Sequence, residues 1–524
     1  MRVLSTGSFL AEGFRALGHE VVPLAADGDT SLQTQVDASG CAPDLVLLEL
    51  FGNSPIPREI SRVRQPTVAH VIDSPLNEFW LFPLLKSFDH VFVDQRSSAE
   101  KLRAIGIGAH WLPLFAFEPD FRDALPERHF LTFVGRITEH RKKRFNLLKL
   151  IANYCEIHQA EGLGRSRTQT LFAESRVVLN ENFFSGVNLR TFQAMSAGSV
   201  LLAERGDGMD ELFTDGEHYV AYEPGNLPER IDFLERNPEE AARIAANGQA
   251  ECRARHTARH RAGFVLERAV GKSVRPGGSG AGDFLFSEAQ ARYLHALRFG
   301  GNYGYAVAQL GRIPATDPLF GRACLVLGRI RAMNGDVDRA REYLRAAVDM
   351  GGPDGATALA LLLLIHLHAD DFCQVERLFG ELRDMAAHLR PDLPLSVDFG
   401  EDRRIVRPRL FLALSRLMHA LGNTFQLGFE KPRDPYPATD FELATLAWEA
   451  APTGEVLDML IRCLERAGIG PEALPFIRQA ILTGQASDQN ILKAIDFAQA
   501  YYDVDLVKSL AVSLAERLRR KRRA

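Results

Sequence analysis

The run Gly271–Asp283, GKSVRPGGSGAGD, separates two stretches of sequence that follow different periods. Ahead of it, short apolar runs alternate with amphipathic segments. Beyond it the strand signal stops and a helical repeat begins. Such a density of Gly, Ser and Pro marks a linker. The chain therefore has to fold as α/β first and all-α second, because no single period spans the boundary.

Strand candidates in the first stretch are Val3–Ser5, Glu20–Leu24, Asp44–Leu50, Thr67–Ile72, His90–Asp94 and His110–Leu114. Leu10–Leu17 and Ala99–Ala104 are amphipathic segments between them. Continuous apolar strands between helices imply a doubly wound parallel sheet. No G-x-G-x-x-G fingerprint is present, which disfavours a dinucleotide site. A second α/β unit starts at Phe130, with Leu131–Val134 as strand, Gly135-Arg136 as its turn and Thr138–Ile157 mostly helix. Val177–Asn180, Val200–Ala203 and Tyr219–Tyr222 add three strands. That makes about four where a full domain of this kind has about six. This second unit is expected to be reduced, with the missing piece between Ile157 and Arg165. Pro238–Val270 reads as a helix that closes the unit.

Past the linker, Gly301, Ala306 and Leu310 recur as Gly335, Ala340 and Leu344, 34 residues on. Leu378 continues the leucine series; Gly468, Ala473 and Ile477 fit the same template, and Val507 and Ala511 lie 34 beyond the last two. A 34-residue period with small residues at close-approach positions is that of tetratricopeptide hairpins. About five to six hairpins are expected across 287–518, interrupted near Asp392–Arg407 and Glu430–Thr439. The Gly and Pro punctuation argues against a coiled coil.

The chain has 524 residues, enough for two to four domains, and a net charge of −5, which argues against a general nucleic-acid binder. Its six cysteines lie far apart with no C-x-x-C pair, as expected of reduced thiols. Met1-Arg2-Val3-Leu4 runs straight into a strand, with no signal peptide expected, and Ala356–Ile365, the longest apolar run, is too short to span a bilayer. A cytoplasmic protein without transmembrane segments is the expectation. There is no metal-binding signature and no metal site is expected. The basic end Arg517–Arg523 reads as a solvated helix face, or else as a contact for an acidic surface.

The stretch Val177–Ala203, VVLNENFFSGVNLRTFQAMSAGSVLLA, carries the chemistry. It reads strand, loop, helix, strand. The loop Gly186-Val187-Asn188-Leu189-Arg190 feeds a helix start, where free N–H groups and the dipole favour an anion. Arg190 adds a guanidinium fork suited to phosphate. The competing reading is an ordinary helix on a sheet with Arg190 solvated.

These residues resemble the donor-binding part of GT-B glycosyltransferases, and most of all the CgeB-like, spore-maturation-protein group. The resembling motifs are Leu179-Asn180, Gly186 through Ala194, Glu211-Leu212-Phe213, and His256-Thr257 with Arg261. The likeness covers roughly residues 1–270. It implies two Rossmann-like lobes, 1–120 on the acceptor side and 121–270 on the nucleotide-sugar side, with the closing helix Pro238–Val270 crossing back to the first. A linker over 271–286 and tetratricopeptide-like helices over 287–524 follow. It further implies sugar transfer from a nucleotide-sugar such as a UDP-sugar, with no other cofactor and no metal.

For the donor, the resemblance points to Arg136, Gly186, Asn188, Arg190 and Gln193. Arg141-Lys142-Lys143-Arg144, behind Arg136, reads as a solvated helix face. Where resembling retaining enzymes keep two carboxylates, this chain has Ser185 and Gln193. Gln193 can still accept a ribose hydroxyl. Asp73 and His70 are the catalytic candidates because they end a parallel strand, where ligands bind. Asp73 is otherwise a helix cap. The repeat domain is expected to hold a protein or glycan acceptor. The alternative is a non-catalytic scaffold, or a nucleotide-sugar sensor, on a degenerate glycosyltransferase fold.

Overall fold

The computed structural model describes residues 1–123, 125–138, 141–182, 186–270, 281–428 and 435–523. The chain forms two compact units, Met1–Gly278 and Ser279–Ala524.

The first unit opens with β1 (Arg2–Ser5), α1 (Ala11–Ala16), β2 (Glu20–Pro23), α2 (Leu32–Ala38), β3 (Leu45–Leu50), β4 (Thr67–Val71), α3 (Ser74–Leu85), β5 (His90–Val93), α4 (Arg96–Ala104) and β6 (Ala109–Trp111). All six strands run parallel in the order β2-β1-β3-β4-β5-β6. Every residue of β3, β4 and β5 is buried, as central strands covered on both faces require.

The second sheet is built from β7 (His129–Val134), α5 (Lys142–Ile151), β8 (Ile157–Ala160), α6 (Arg165–Ala173), β9 (Ser175–Asn180), α7 (Leu189–Ser196), β10 (Val200–Glu204), α8 (Met209–Leu212) and β11 (Val220–Tyr222). Its order is β11-β10-β9-β7-β8, also parallel. The sheet has five strands, not four. The extra one, β8, is an edge strand of sequence IHQA without a buried residue, so it carries no apolar signal. It occupies Ile157, which had been assigned to the preceding helix.

Both sheets wind alike. Each strand order reverses beside the first strand of its sheet, between β1 and β3 and between β7 and β9. Ligands of open parallel sheets bind outside the carboxyl ends at such points.

Helices α9 (Leu227–Arg236), α10 (Pro238–Arg255) and α11 (Ala258–Ala269) complete the unit. The expected single helix over 238–270 is broken at His256-Thr257, where Thr257 opens a capping box with His260. Beyond the break α11 packs on α1 of the first sheet, as the crossing-back expectation required. The approach is close: a Cβ on Gly13 would lie 2.1 Å from the Ala258 carbonyl oxygen. Ala116 makes two backbone bonds across the same junction, its N–H donating to His256 O at 2.9 Å and its carbonyl accepting the Ala258 N–H at 3.0 Å.

The second unit is helical throughout its described residues: α12 (Ala281–Phe299), α13 (Gly304–Leu310), α14 (Phe320–Met333), α15 (Val337–Asp349), α16 (Gly352–His368), α17 (Phe372–Leu389), α18 (Arg403–Leu421), α19 (Asp440–Ala450), α20 (Gly454–Arg466), α21 (Leu474–Leu482), α22 (Asp488–Ala500) and α23 (Val504–Arg523). The helical region starts at Ala281, inside the stretch read as linker; residues 271–280 of that linker lie outside the described residues. Repeat positions Ala306, Leu310, Ala340, Leu344, Leu378, Ala473 and Ile477 are all buried. Gly328 on α14 lets α15 come close, since a Cβ there would meet the Leu344 side chain at 2.7 Å. The template fails at its end: Val507 is half-buried and Ala511 exposed, while Leu510 is buried instead. Of the two interruptions, 390–402 lies between α17 and α18, and residues 429–434 of the other are outside the described residues. No helix among the described residues is long and apolar enough to cross a membrane, and the six cysteines are free.

Candidate active site between the two sheets

A cavity of about 540 Å³ opens at the carboxyl ends of both sheets. Behind its lining residues on the second sheet lies Phe133 of β7, which is fully buried. The guanidinium of Arg190, from the first turn of α7, stacks over this ring at 4.7 Å, and that of Arg144, from α5, lies over it at 5.2 Å. Gly135 permits this: a Cβ there would sit 2.8 Å from Arg190 Nη2.

The two arginines are neutralised differently. Arg144 donates through Nε and Nη2 to Glu181 Oε2 at 2.9 and 2.8 Å, in a pair that is almost fully buried. Arg190 meets only neutral oxygens, Val134 O at 3.0 Å and Asn180 Oδ1 at 2.8 Å. Those two acceptors end β7 and β9, so Arg190 spans the point where the strand order reverses. Burial, reinforced by the Arg144 charge, pushes the Arg190 pKa down to about 10, so it is still a cation near neutrality. Arg165 also lines the cavity but is paired with Asp120 at 2.7 Å. Among the described cavity residues, Arg190 is the cation without a carboxylate partner.

Asn188 is the N-cap residue of α7. Its Nδ2 is committed to Asn180 Oδ1 at 3.0 Å, whereas its Oδ1 is buried with no hydrogen-bond partner. An orphaned acceptor at a cavity wall fits a hydroxyl donor on a ligand. Gln193 lies one turn farther along α7 and lines the same cavity. Ser185 lies outside the described residues.

The first sheet contributes Asp73, at the N-cap of α3 with a left-handed backbone (φ 54°). The turn is held by Asp94, whose Oδ2 accepts the Asp73 N–H at 2.8 Å and whose Oδ1 accepts the Ser74 N–H and hydroxyl at 3.1 and 2.6 Å. Asp94 thus caps the helix, and the Asp73 side chain, which makes no capping bond, is left to the cavity. The Asp73 residue is exposed at the cavity mouth, yet the protein surrounding its carboxyl group raises its pKa, the Asp94 charge raises it further, and Arg141 pulls it back. A carboxylate so placed can accept a proton at a pH where an ordinary aspartate could not.

Gly186 lines the cavity, and its packing gives a further reason for a glycine there. A Cβ there would lie 1.8 Å from Oε1 of Gln95, a residue of the first sheet's side whose Nε2 donates to Val187 O at 3.0 Å. The glycine admits a neighbouring side chain, and the contact ties the loop to the other lobe. Gly208 does the same for Trp111, whose ring would lie 2.7 Å from a Cβ there.

His70 and Arg136 do not line the cavity. His70 is wholly buried on β4, its Nδ1 3.6 Å from Glu49 Oε1. Glu49 accepts the Phe9 and Leu10 N–H groups at 3.1 and 2.9 Å and so anchors the start of α1. Burial alone would raise the Glu49 pKa, but the neighbouring His70 side chain and these N–H groups hold it below the ordinary range. Arg136 is exposed, and its backbone carbonyl accepts Arg144 Nη1 at 2.9 Å. Arg144, inside the basic run read as a solvated face, lines the cavity instead. Its signal was Glu181, a carboxylate just past the apolar run Val177–Leu179 that must be paired when buried.

The motif His256-Thr257 with Arg261 holds the junction between lobes. Arg261 donates to Pro113 O at 2.8 Å, and its Nη2 to His256 Nδ1 at 3.1 Å. His256 Nε2 in turn reaches Leu212 O at 3.2 Å, in the Glu211-Leu212-Phe213 motif. Glu211 itself pairs with Arg96 of α4 at 2.5 Å.

Residues 122–267 match the family model described as Glycosyl transferase-like. No curated protein matches the chain. Among solved structures, a sucrose-phosphate synthase of Thermosynechococcus elongatus is similar at 11% identity and a TM-score of 0.39, over 51% of this chain and 97% of its own. Anabaena HepE in complex with UDP is similar at 14% identity and a TM-score of 0.38, over 51% of this chain and 99% of its own. TarM is similar at 10% identity and a TM-score of 0.34, over 43% of this chain and 54% of its own.

Proposed function

We propose that the protein is a cytoplasmic, metal-independent glycosyltransferase of CgeB-like type that moves a sugar from a nucleotide-sugar to an acceptor. The observation that carries the reading is Arg190. It is a half-buried cation without a carboxylate partner, set on the first turn of a helix at the reversal point of a parallel sheet. Retaining an uncompensated guanidinium there is costly unless an anion arrives. The match of 122–267 to a glycosyl transferase-like family agrees with it.

In this reading the diphosphate meets Arg190 and the free N–H groups at the start of α7. Asn188 Oδ1 and Gln193 accept hydroxyl groups of the donor. Asp73, across the cavity, takes the proton of the acceptor hydroxyl as the new bond to the sugar forms and the nucleoside diphosphate leaves. Backbone N–H groups and the guanidinium stabilise the charge that develops on the leaving group. Arg136 retains at most a peripheral share in this, and His70 acts through Glu49 and the start of α1. The helical unit, tetratricopeptide-like in its spacing, holds the acceptor or a partner.

A second reading, a nucleotide-sugar sensor or scaffold, is favoured by Gln193 standing where a carboxylate is usual and by Arg144 being already neutralised by Glu181. Calorimetry with UDP, GDP and their sugars decides between them. Losing a hydrogen bond to a charged group costs about 1.5–3 kcal/mol, so Arg190→Ala should weaken binding roughly tenfold to a hundredfold. Arg136→Ala should leave it nearly unchanged. Binding without transfer to any acceptor supports the sensor; no nucleotide binding by the wild type supports the scaffold. Transfer that persists in EDTA is the outcome expected of a metal-independent enzyme.

A further inference from the structure

The helical unit holds a concavity of about 830 Å³, larger than the cavity between the sheets. Its wall is formed by the loop after α17, the last turn of α18 and one face of α20. Arg390, Arg416, Arg462 and Arg466 line it, against a single lining carboxylate, Asp392.

Part of this charge has a local use. Arg390 Nη1 donates to Ala420 O at 2.7 Å and Arg466 Nη1 to His419 O at 3.0 Å, so both satisfy carbonyls at the C-terminal end of α18. Arg390 is also held by Asp392 at 2.9 and 2.7 Å, and Arg416 by Glu455 at 3.0 Å. The remainder has none. Arg466 has no carboxylate partner, and Arg462 has no partner at all, among the described residues. The two stand one turn apart on α20, the spacing at which like charges repel. Nothing in the packing of α20 calls for a cation at Arg462, which is exposed.

The rest of the surface narrows the ligand. Leu393, Leu421 and Met459 lie among the arginines, and no Phe, Tyr or Trp lines the concavity. Single-stranded nucleic acids are held by aromatic stacking beside the charge, and that platform is missing. The wall is rigid: His419 Nδ1 lies 2.7 Å from Asp440 Oδ2, while the Oδ1 of this buried carboxylate takes the Phe425 and Phe441 N–H groups at 2.9 and 2.7 Å.

We propose that this concavity docks an acidic segment of another polypeptide, with its carboxylates on Arg462 and Arg466 and its apolar side chains over Leu393 and Leu421. This deepens the partner-holding role given to the helical unit and is independent of the donor chemistry. The test uses the full chain and a fluorescein-labelled peptide of alternating Glu and Leu, read by anisotropy. Binding should weaken with salt, and Arg462→Glu should lower the affinity roughly tenfold or more. Arg478→Glu, an exposed reversal on α21, should change nothing, and circular dichroism should report the same helicity for all three proteins. A Lys/Leu peptide of equal length should not bind. The proposal is overturned if the Glu/Leu peptide fails to bind, if Arg462→Glu binds it like the wild type, if oligothymidylate binds more tightly, or if inorganic phosphate at matched ionic strength displaces the peptide completely. Nucleotide calorimetry on Arg462→Glu should match the wild type, so failure here leaves the transferase reading to its own test.

Discussion

Gly186→Ala separates two reasons for a glycine in the loop before α7. A methyl group would fall 1.8 Å from Gln95 Oε1 and 3.0 Å from its Cδ. The Gln95 amide must therefore rotate away, and its Nε2 gives up Val187 O at 3.0 Å and Asp94 Oδ2 at 3.2 Å. One neutral bond and one bond to a charged acceptor are together worth about 2–4 kcal/mol. The Gly186 backbone has no positive φ, so the alanine itself is unstrained and returns a few tenths through the unfolded chain. Gln95→Ala loses the same two bonds and should cost about as much. The double variant should then cost about 2–4 kcal/mol, not twice that, which is a coupling of about 2 kcal/mol or more. At about 2–4 °C per kcal/mol for a domain of this size, the double variant should melt several degrees above the sum of the single effects. Thermal and urea melts measure this. Additive effects would refute the contact. A double variant that recovers stability but no longer binds UDP would show that the glycine also serves phosphate approach.

Gly13→Ala should be far more damaging than Gly186→Ala, because the added Cβ meets a backbone carbonyl, Ala258 O at 2.1 Å, that cannot rotate away; a loss of several kcal/mol and a lower melting temperature are expected. The acid limb of kcat/KM should lie above the ordinary aspartate range, since a base acts only when deprotonated and the Asp73 pKa is raised by the surrounding protein and then by Asp94. Asp94→Asn should move that limb to lower pH, and an unmoved limb would remove Asp73 from the role of base. His256 is held neutral, its pKa pushed down to about 3 by burial and the Arg261 charge. A depressed folded-state value means stability that is complete above the unfolded value and declines as pH falls, by about 2–3 kcal/mol between about pH 6.5 and 4.5. His256→Gln should flatten that part of the stability–pH curve measured by urea melts.

Sequence by itself determined the elements and their class. Strand and helix periods are local properties of the chain, so β3, β4 and β9 announce themselves as short stretches rich in Val and Leu, and Ala340, Leu344 and Ala347 as a buried helical face. Arg190 and Asp73 were legible as strand-end and helix-start residues because those positions are themselves local. Tertiary structure decided whatever depends on a partner distant in sequence. The edge strand β8 is a strand only because β7 supplies its hydrogen bonds. Arg144 is a buried ion-pair member because Glu181 lies beneath it, 37 positions away, and Gly186 is a glycine because Gln95 arrives from the other lobe. The same holds for Arg462, whose unmatched charge is visible only once α17, α18 and α20 enclose a common space. A side chain's burial and charge balance are set by neighbours that the chain brings together only on folding, so no local period can encode them.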